Sequence, residues 1–242
     1  MDGPRSITDM TRKAENGMGA YPMIIHAMEL LKKHDYIPSL SVTISEDVLR
    51  NQATVIDWLQ EMHLSFGIKD ISYNLLRFQD EGFDKKKYSI AASSFIIASY
   101  KQLGDIINDS RINRKILSLT RSTFFYGDCA AITGNQIVLK ANGDIGLCQV
   151  FCQSDETTVG NVSAGSLSGI IENAVIPALG KYKHFLPVFR KSCQECEAIF
   201  TCGGGCYWES GECDKSCDIG YCQYSKILHA WMLGCLDKQA TE

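Results

Sequence analysis

Along the first 128 residues, apolar positions switch between helical spacing and alternation. After Pro22, which suits a first helical turn, Ile24, Ile25, Met28 and Leu31 recur at helical spacing. Ser39-Leu40-Ser41-Val42-Thr43-Ile44 is apolar at every second residue and predicts a strand. Val48, Val55, Ile56, Leu59 and Met62 then share one face of a second helix, and Gly67 breaks it. Residues 68–77 (IKDISYNLLR) predict another strand, and a third helix runs from about Tyr88 to Leu103, carrying Phe95, Ile96 and Tyr100. This αβαβα order implies an α/β fold with parallel strands joined by crossover helices. Polar Ser41 and Thr43 alternate with apolar neighbours, so that face of the first strand either lines a wet cavity or meets solvent at a sheet edge.

After a bridging helix from Ser110 to about Thr120 the texture changes. Gln136-Ile137-Val138-Leu139 and Asp144-Ile145-Gly146-Leu147 flank Asn142-Gly143, a strong hairpin-turn signal. Beyond it lie Gly/Ser-rich loops, one short helix near Leu167–Ala178, and a closing helix over residues 223–238. The change of texture places a domain boundary near residue 125, giving 1–125 as the α/β part and 126–242 as a smaller, loop-rich part.

Composition adds exclusions. The chain has 242 residues, 45% hydrophobic and 21% charged, with a formal net charge of −4. That balance fits a globular protein and rules out wholesale disorder. The absence of a basic excess argues against nucleic acid or an anionic membrane as partner. No apolar run is long enough to span a bilayer and the start has no signal-peptide pattern, so the expected location is cytoplasmic. His26, His34, His63, His184 and His229 are scattered, none at ligand spacing from an acid or cysteine, and read as core or surface residues.

All eleven cysteines lie between Cys129 and Cys235, and seven of them fall within Cys193–Cys222. An odd total without an export signal argues against a disulfide framework and for metal binding. The dense run reads Cys193-x2-Cys196-x5-Cys202-x3-Cys206, with Cys222 fifteen residues further on. Such spacings bring several thiolates within reach of one metal centre. Gly203-Gly204-Gly205 lets the backbone close around a bulky inorganic group and offers it N–H donors. Upstream, Cys129-x13-Gly143-x4-Cys148 brackets the predicted hairpin and places Cys148 near Cys129. Cys-x2-Cys pairs also suit tetrahedral zinc, so a non-catalytic zinc-binding or peptide-binding module stays open as the alternative.

In this order and spacing, Cys129, Cys148, Cys193, Cys196, Cys202, Cys206 and Cys222 resemble the seven-cysteine SPASM domain of radical S-adenosylmethionine (SAM) enzymes, as do the stretches GNQIVLKANGDIGLC, TTVGNV, CGGGCYWESG and YCQYSK. Asp2-Gly3-Pro4-Arg5 with Thr11-Arg12 is similar to the segment that follows the fourth barrel strand in those enzymes, so the resemblance covers nearly the whole chain. It implies that residues 1–125 are the later βα units of a TIM-like radical SAM barrel and 126–242 a SPASM domain with two auxiliary [4Fe–4S] clusters. It further implies one cluster on Cys129, Cys148 and Cys206, with Cys152 as a fourth ligand or an iron position open to a substrate cysteine. The other cluster would sit on Cys193, Cys196, Cys202 and Cys222. Cys213 and Cys217 fall outside the motif, as spare thiols or alternative ligands, and Cys235 reads as a small core residue. Tyr73 and Asn74 match a strand that lines the SAM pocket in relatives, with ordinary packing the simpler reading.

The Cys-x3-Cys-x2-Cys loop that binds the SAM-cleaving cluster in such enzymes does not occur in these 242 residues. The resemblance therefore implies a chain that starts after that loop, as a natural remnant, a mis-called start or a fragment. It is expected to be inactive alone and to use SAM only in a full-length version, with a partner chain as one means of completing the barrel. Gln149 stands where sulfatase-maturating relatives carry an acidic base directly after the cysteine matching Cys148, and an amide cannot take a proton at neutral pH. The resemblance then implies maturation of another ribosomally made peptide, by thioether formation or similar chemistry, with a cysteine in the substrate in the thioether case.

Overall fold

A computed structural model describes residues 1–76, 82–121, 129–150, 155–210 and 218–240. Two compact units emerge: Met1–Leu117 with Ala230–Glu242, and Ser118–His229. The domain boundary read from the sequence, near residue 125, lies outside the described residues.

The first unit opens with α1 (Arg5–Thr11) and α2 (Tyr21–Lys33). Pro22 in the first turn of α2 sacrifices no helical hydrogen bond, and Lys32 and Lys33 meet the negative end of its dipole. The strand β1 (Leu40–Ile44) leads into α3 (Glu46–Arg50), which Ser45 caps by accepting the Val48 N–H at 3.3 Å. A break at Asn51 separates α3 from α4 (Gln52–Phe66), so the single helix expected over this stretch is two. Gly67, at φ +70°, ends α4 in the left-handed conformation that glycine adopts without penalty. Next come β2 (Ile71–Leu75) and α5 (Lys85–Leu103), the latter capped by Asp84 through the Lys87 N–H at 2.9 Å. The strand is shorter than the expected 68–77, and residue 77 lies outside the described residues. After it, α6 (Ser110–Thr120) matches the expected bridging helix.

The strands β1 and β2 pair in parallel, Leu40 opposite Ile71 through Ile44 opposite Leu75, as the αβαβα order required. This register separates the faces. Leu40, Val42, Ile44, Ile71 and Tyr73 are buried, and Tyr73 lies edge-on to Phe95 of α5 with ring centroids 5.6 Å apart. The opposite face carries Ser41, Thr43, Ser72 and Asn74, none of them buried. Val42, Ile44, Leu59, Ile68, Ile71 and Phe95 are each under 2% exposed, and burying one such side chain is worth about 1.5–3 kcal/mol.

The second unit holds an antiparallel sheet in the order β3 (Val138–Leu139), β4 (Asp144–Gly146), β5 (Thr158–Asn161). The hairpin stands where expected, but its connection is not a two-residue Asn-Gly turn. Its loop is residues 140–143, closed by the Lys140 N–H on the Asp144 carbonyl at 2.8 Å and the Gly143 N–H on the Lys140 carbonyl at 3.0 Å. Only Gly143 has positive φ there (+86°), while Asn142 uses its side chain to accept the Asp144 N–H at 3.0 Å. The strand β5 lies in what read as loop. Beyond it, α7 (Leu167–Ile170), one π-helical stretch (Ile171–Val175) and α8 (Ile176–Tyr182) form a continuous helical run. Ile145, Leu147, Phe185 and Leu186 anchor the core, flanked by Tyr182, Tyr207 and Trp208. The last helix, α9 (Ile219–Ala240), starts earlier than the expected 223 and contributes to both units, dividing between His229 and Ala230. No described helix is long and apolar enough to cross a membrane.

Candidate functional site

In the second unit Cys129, Cys148 and the run Cys193–Cys206 lie on turns and short connections, whereas Cys222 lies on α9. Cys129 opens a turn in which its carbonyl accepts the Thr133 N–H at 3.1 Å and the Thr133 hydroxyl at 2.9 Å. Cys148 is buried two residues past β4, where the Leu147 N–H is tied to the Thr157 carbonyl at 3.0 Å. Cys148 belongs to the core cluster and Cys129 packs against that cluster.

Successive tight turns carry the dense run. The Cys193 N–H donates to the Arg190 carbonyl at 2.9 Å, the Cys196 N–H to the Cys193 carbonyl at 3.0 Å, and the Cys202 N–H to the Ala198 carbonyl at 2.7 Å. The buried Cys206 donates its N–H to Asp218 Oδ2 at 3.2 Å. The Cys222 N–H donates to the Asp218 carbonyl at 2.9 Å. Cys193, Cys196, Cys202 and Cys222 are half-buried, as is Cys235 on α9. All eight described cysteines are thiols. Cys152, Cys213 and Cys217 lie outside the described residues.

Among the described residues no group of three or more His, Cys, Asp or Glu side chains is drawn together closely enough to hold a single metal ion. Thiolates around a multi-iron core stand further apart than those around one ion, and the donor set here is almost wholly thiol, the chemistry that iron–sulfur clusters take. The glycine run packs closely on the protein itself, against Arg190, Pro187, Asp218 and Tyr221. Gly204 and Gly205 sit at φ +90° and +77°, and a Cβ on either would lie under 3.0 Å from a neighbouring side chain. The chemistry of the donor set is what fits such a group.

Charge inside this unit comes from residues the sequence reading passed over. Arg190, 6% exposed, donates from Nη2 to the Gly204 carbonyl at 3.0 Å and lies over the Phe185 ring, 4.4 Å from its centroid. Asp218, 8% exposed, accepts the Cys206 N–H with one oxygen and the Tyr221 N–H with the other, at 3.1 Å. A capping signal exists for Asp218, an acidic residue just ahead of the Ile219–Ala240 helix. Nothing local marks Arg190, since a lone arginine between Phe189 and Lys191 reads as solvated. His229, read as core or surface, is buried with its Nδ1 3.0 Å from the Thr201 hydroxyl, and burial lowers its pKa against the opposing pull of Glu197. Gln149, next to Cys148, is exposed.

In the first unit, Asn74 Nδ2 donates to Ser41 Oγ at 2.5 Å across the polar sheet face. Tyr73 points the other way, into the core, where burial raises its hydroxyl's pKa; this is the packing role expected for it. Asp2 pairs with Arg12 at 2.9 Å beside the same strands.

No family model matches the chain. Over 219 residues it is 22% identical to the cysteine-type anaerobic sulfatase-maturating enzymes of two Clostridium perfringens strains, 13 and ATCC 13124. The alignment takes in 85% of this chain and 56% of each relative, so the chain spans about half the length of the curated relatives it matches. Among solved structures it is similar to native anSMEcpe with bound AdoMet, at 18% identity and a TM-score of 0.76, covering 100% of this chain and 67% of that one. The same protein with bound AdoMet and a Cp18Cys peptide matches at 18% identity and a TM-score of 0.76, covering 100% and 68%. These likenesses show the fold: a mixed helix-and-sheet chain built as part of a SAM-binding maturase is built.

Proposed function

We propose that this chain is the auxiliary iron–sulfur portion of a radical SAM enzyme that modifies a ribosomally made peptide. The observation that carries the reading is the ordered set Cys129, Cys148, Cys193, Cys196, Cys202, Cys206 and Cys222, with Gly203-Gly204-Gly205 between two of them. Its similarity to sulfatase-maturating enzymes, and to anSMEcpe bound to a Cys peptide, supports a peptide as partner.

In this reading Cys129, Cys148 and Cys206, with Cys152 as fourth donor or an iron left open to substrate, hold one [4Fe–4S] cluster. Cys193, Cys196, Cys202 and Cys222 hold the other. Such clusters, when bound, supply electron storage and, at an open iron, a Lewis-acid site for a thiolate. The chain's own residues do the rest. The core around Ile145, Leu147 and Phe185 excludes water from one side of Cys148. Buried Arg190 sets a positive charge beside thiolate-bearing loops. Gln149 orients a ligand by hydrogen bonds but accepts no proton, so a substrate that needs a carboxylate base at this point is not served. This separates the proposed substrate from that of the sulfatase maturases. Ser41, Thr43, Ser72 and Asn74 form a polar wall of a later barrel segment, suited to a polar ligand such as SAM in a version of the protein that also carries the three-cysteine loop, or in a complex with a partner chain that completes the barrel. A thiol-rich chain of this kind belongs in the reducing cytoplasm.

The test is anaerobic reconstitution of the chain with iron and sulfide, followed by iron analysis and electron paramagnetic resonance. Two clusters give about eight irons per chain. Stoichiometric zinc with negligible iron contradicts the reading and favours a zinc module.

A further inference from the structure

The loop Cys202–Cys206 is held from two sides by buried charges of opposite sign. On one side Arg190 donates to the Gly204 carbonyl at 3.0 Å, its guanidinium stacked on Phe185. On the other, Asp218 accepts the Cys206 N–H at 3.2 Å. The fit is close: a Cβ at Gly204 would stand 2.8 Å from Arg190 Nη2, and one at Gly205 2.9 Å from the Asp218 Cβ. Asp218 also accepts the Tyr221 N–H as the cap of α9, and its carbonyl accepts the Cys222 N–H. One residue is thus bonded to the backbones of Cys206 and Cys222, which the proposed function assigns to different clusters.

The geometry points to Arg190 and Asp218 as positioning residues that fold the Gly203–Gly205 turn before any metal arrives. They hold Cys202, Cys206 and Cys222 in fixed relation so that cluster assembly meets a prepared site. This rests on the cluster reading above. Burying both charges carries a desolvation cost that hydrogen bonds to one loop offset only when that loop has a single shape. Groups that orient ligands in this way commonly alter metal retention by ten- to a hundredfold when removed.

The experiment compares the full chain with Asp218→Asn, Arg190→Gln and Arg190→Lys. Asparagine caps a helix as well as aspartate does, so Asp218→Asn keeps α9. With its one oxygen kept on the Tyr221 N–H, however, it turns an NH2 donor toward the Cys206 N–H and loses that bond. Amide exchange is measured on metal-free protein, and iron loss to a chelator on reconstituted protein. Expected are slow exchange over residues 203–206 in the metal-free wild type, and exchange about tenfold faster in Asp218→Asn and Arg190→Gln, confined to that segment. Iron loss should be about ten- to a hundredfold faster in both, with partial rescue in Arg190→Lys, which keeps a charge and one donor. Wild-type exchange and wild-type iron retention in the two variants would overturn the inference. So would uniformly faster exchange throughout the second unit, which marks a merely structural role. A wild-type chain that takes up no iron would overturn the cluster reading and the clamp's purpose with it; protection of residues 203–206 would then report on the loop alone.

Discussion

Arg12 Nε donates to Asp2 Oδ2 at 2.9 Å, and the other oxygen of that carboxylate accepts the Thr43 N–H at 3.2 Å. In a parallel pair, alternate residues point their amides to opposite sides, and the Leu40 N–H already bonds the Asp70 carbonyl next to β2. The Thr43 amide therefore sits on the edge of β1 turned away from β2, and Asp2 satisfies it. Burial pushes the Asp2 carboxyl upward, but the hydrogen bonds from Arg12 and from the Thr43 amide outweigh it and leave the pKa lowered.

Asp2→Asn should therefore destabilise the first unit by about 1.5–3 kcal/mol at pH 7, the worth of hydrogen bonds to a charged group. Because the folded pKa lies below the unfolded one, this stability is fully present above about pH 4 and is lost as pH falls through the folded pKa. Urea unfolding at pH 7 and at about pH 3 checks it: the gap between wild type and variant narrows at the lower pH. A gap that is unchanged or wider there would remove the carboxylate from the account.

Phe95, fully buried against the edge of Tyr73, is a large packing anchor of the first unit. Phe95→Ala should cost about 3–5 kcal/mol by equilibrium unfolding, from lost burial plus the cavity left behind. A loss under about 1 kcal/mol would mean that α5 does not pack on β2 as described.

Gly143→Ala tests the hairpin. At φ +86° the new Cβ is strained, and it would meet Val162 Cγ2 at 3.1 Å. The expected loss is about 1–2 kcal/mol in thermal or urea unfolding. A neutral result would favour a different turn.

Much of this was legible in the sequence, for identifiable reasons. The elements β1, β2 and α5 announce themselves because each buries one face and so repeats its apolar residues at one period, while α2 shows a helical period although only Met28 of it is buried. The helix α1 is only seven residues long, too short for a period to show. The strand β5 (Thr-Val-Gly-Asn) is half-buried throughout and carries a glycine, so it reads as loop. Asn142-Gly143 marked the hairpin but not its length, because asparagine can support a turn through its side chain as well as through positive φ. The cysteine order was plain in the sequence. The buried Arg190 was not, since its partner is a backbone carbonyl fourteen residues away, and of Asp218 only the helix-capping role is legible, not its bond to Cys206 twelve residues away.

Cys202→Ala should remove the proposed cluster on Cys193, Cys196, Cys202 and Cys222 and leave about four irons per chain on the other. Iron content unchanged from wild type would show the assignment of Cys202 to be wrong.

The 242-residue chain has no Cys-x3-Cys-x2-Cys. With dithionite and SAM it should form no 5′-deoxyadenosine above a cluster-free control. Catalytic formation would show that another iron site in this chain cleaves SAM.

The central claim is that these cysteines hold iron–sulfur clusters, and metal analysis of anaerobically reconstituted chain tests it most directly. The account predicts about eight irons with matching sulfide per chain and a brown protein whose colour bleaches on reduction. A colourless protein carrying zinc in whole-number stoichiometry and negligible iron would contradict it.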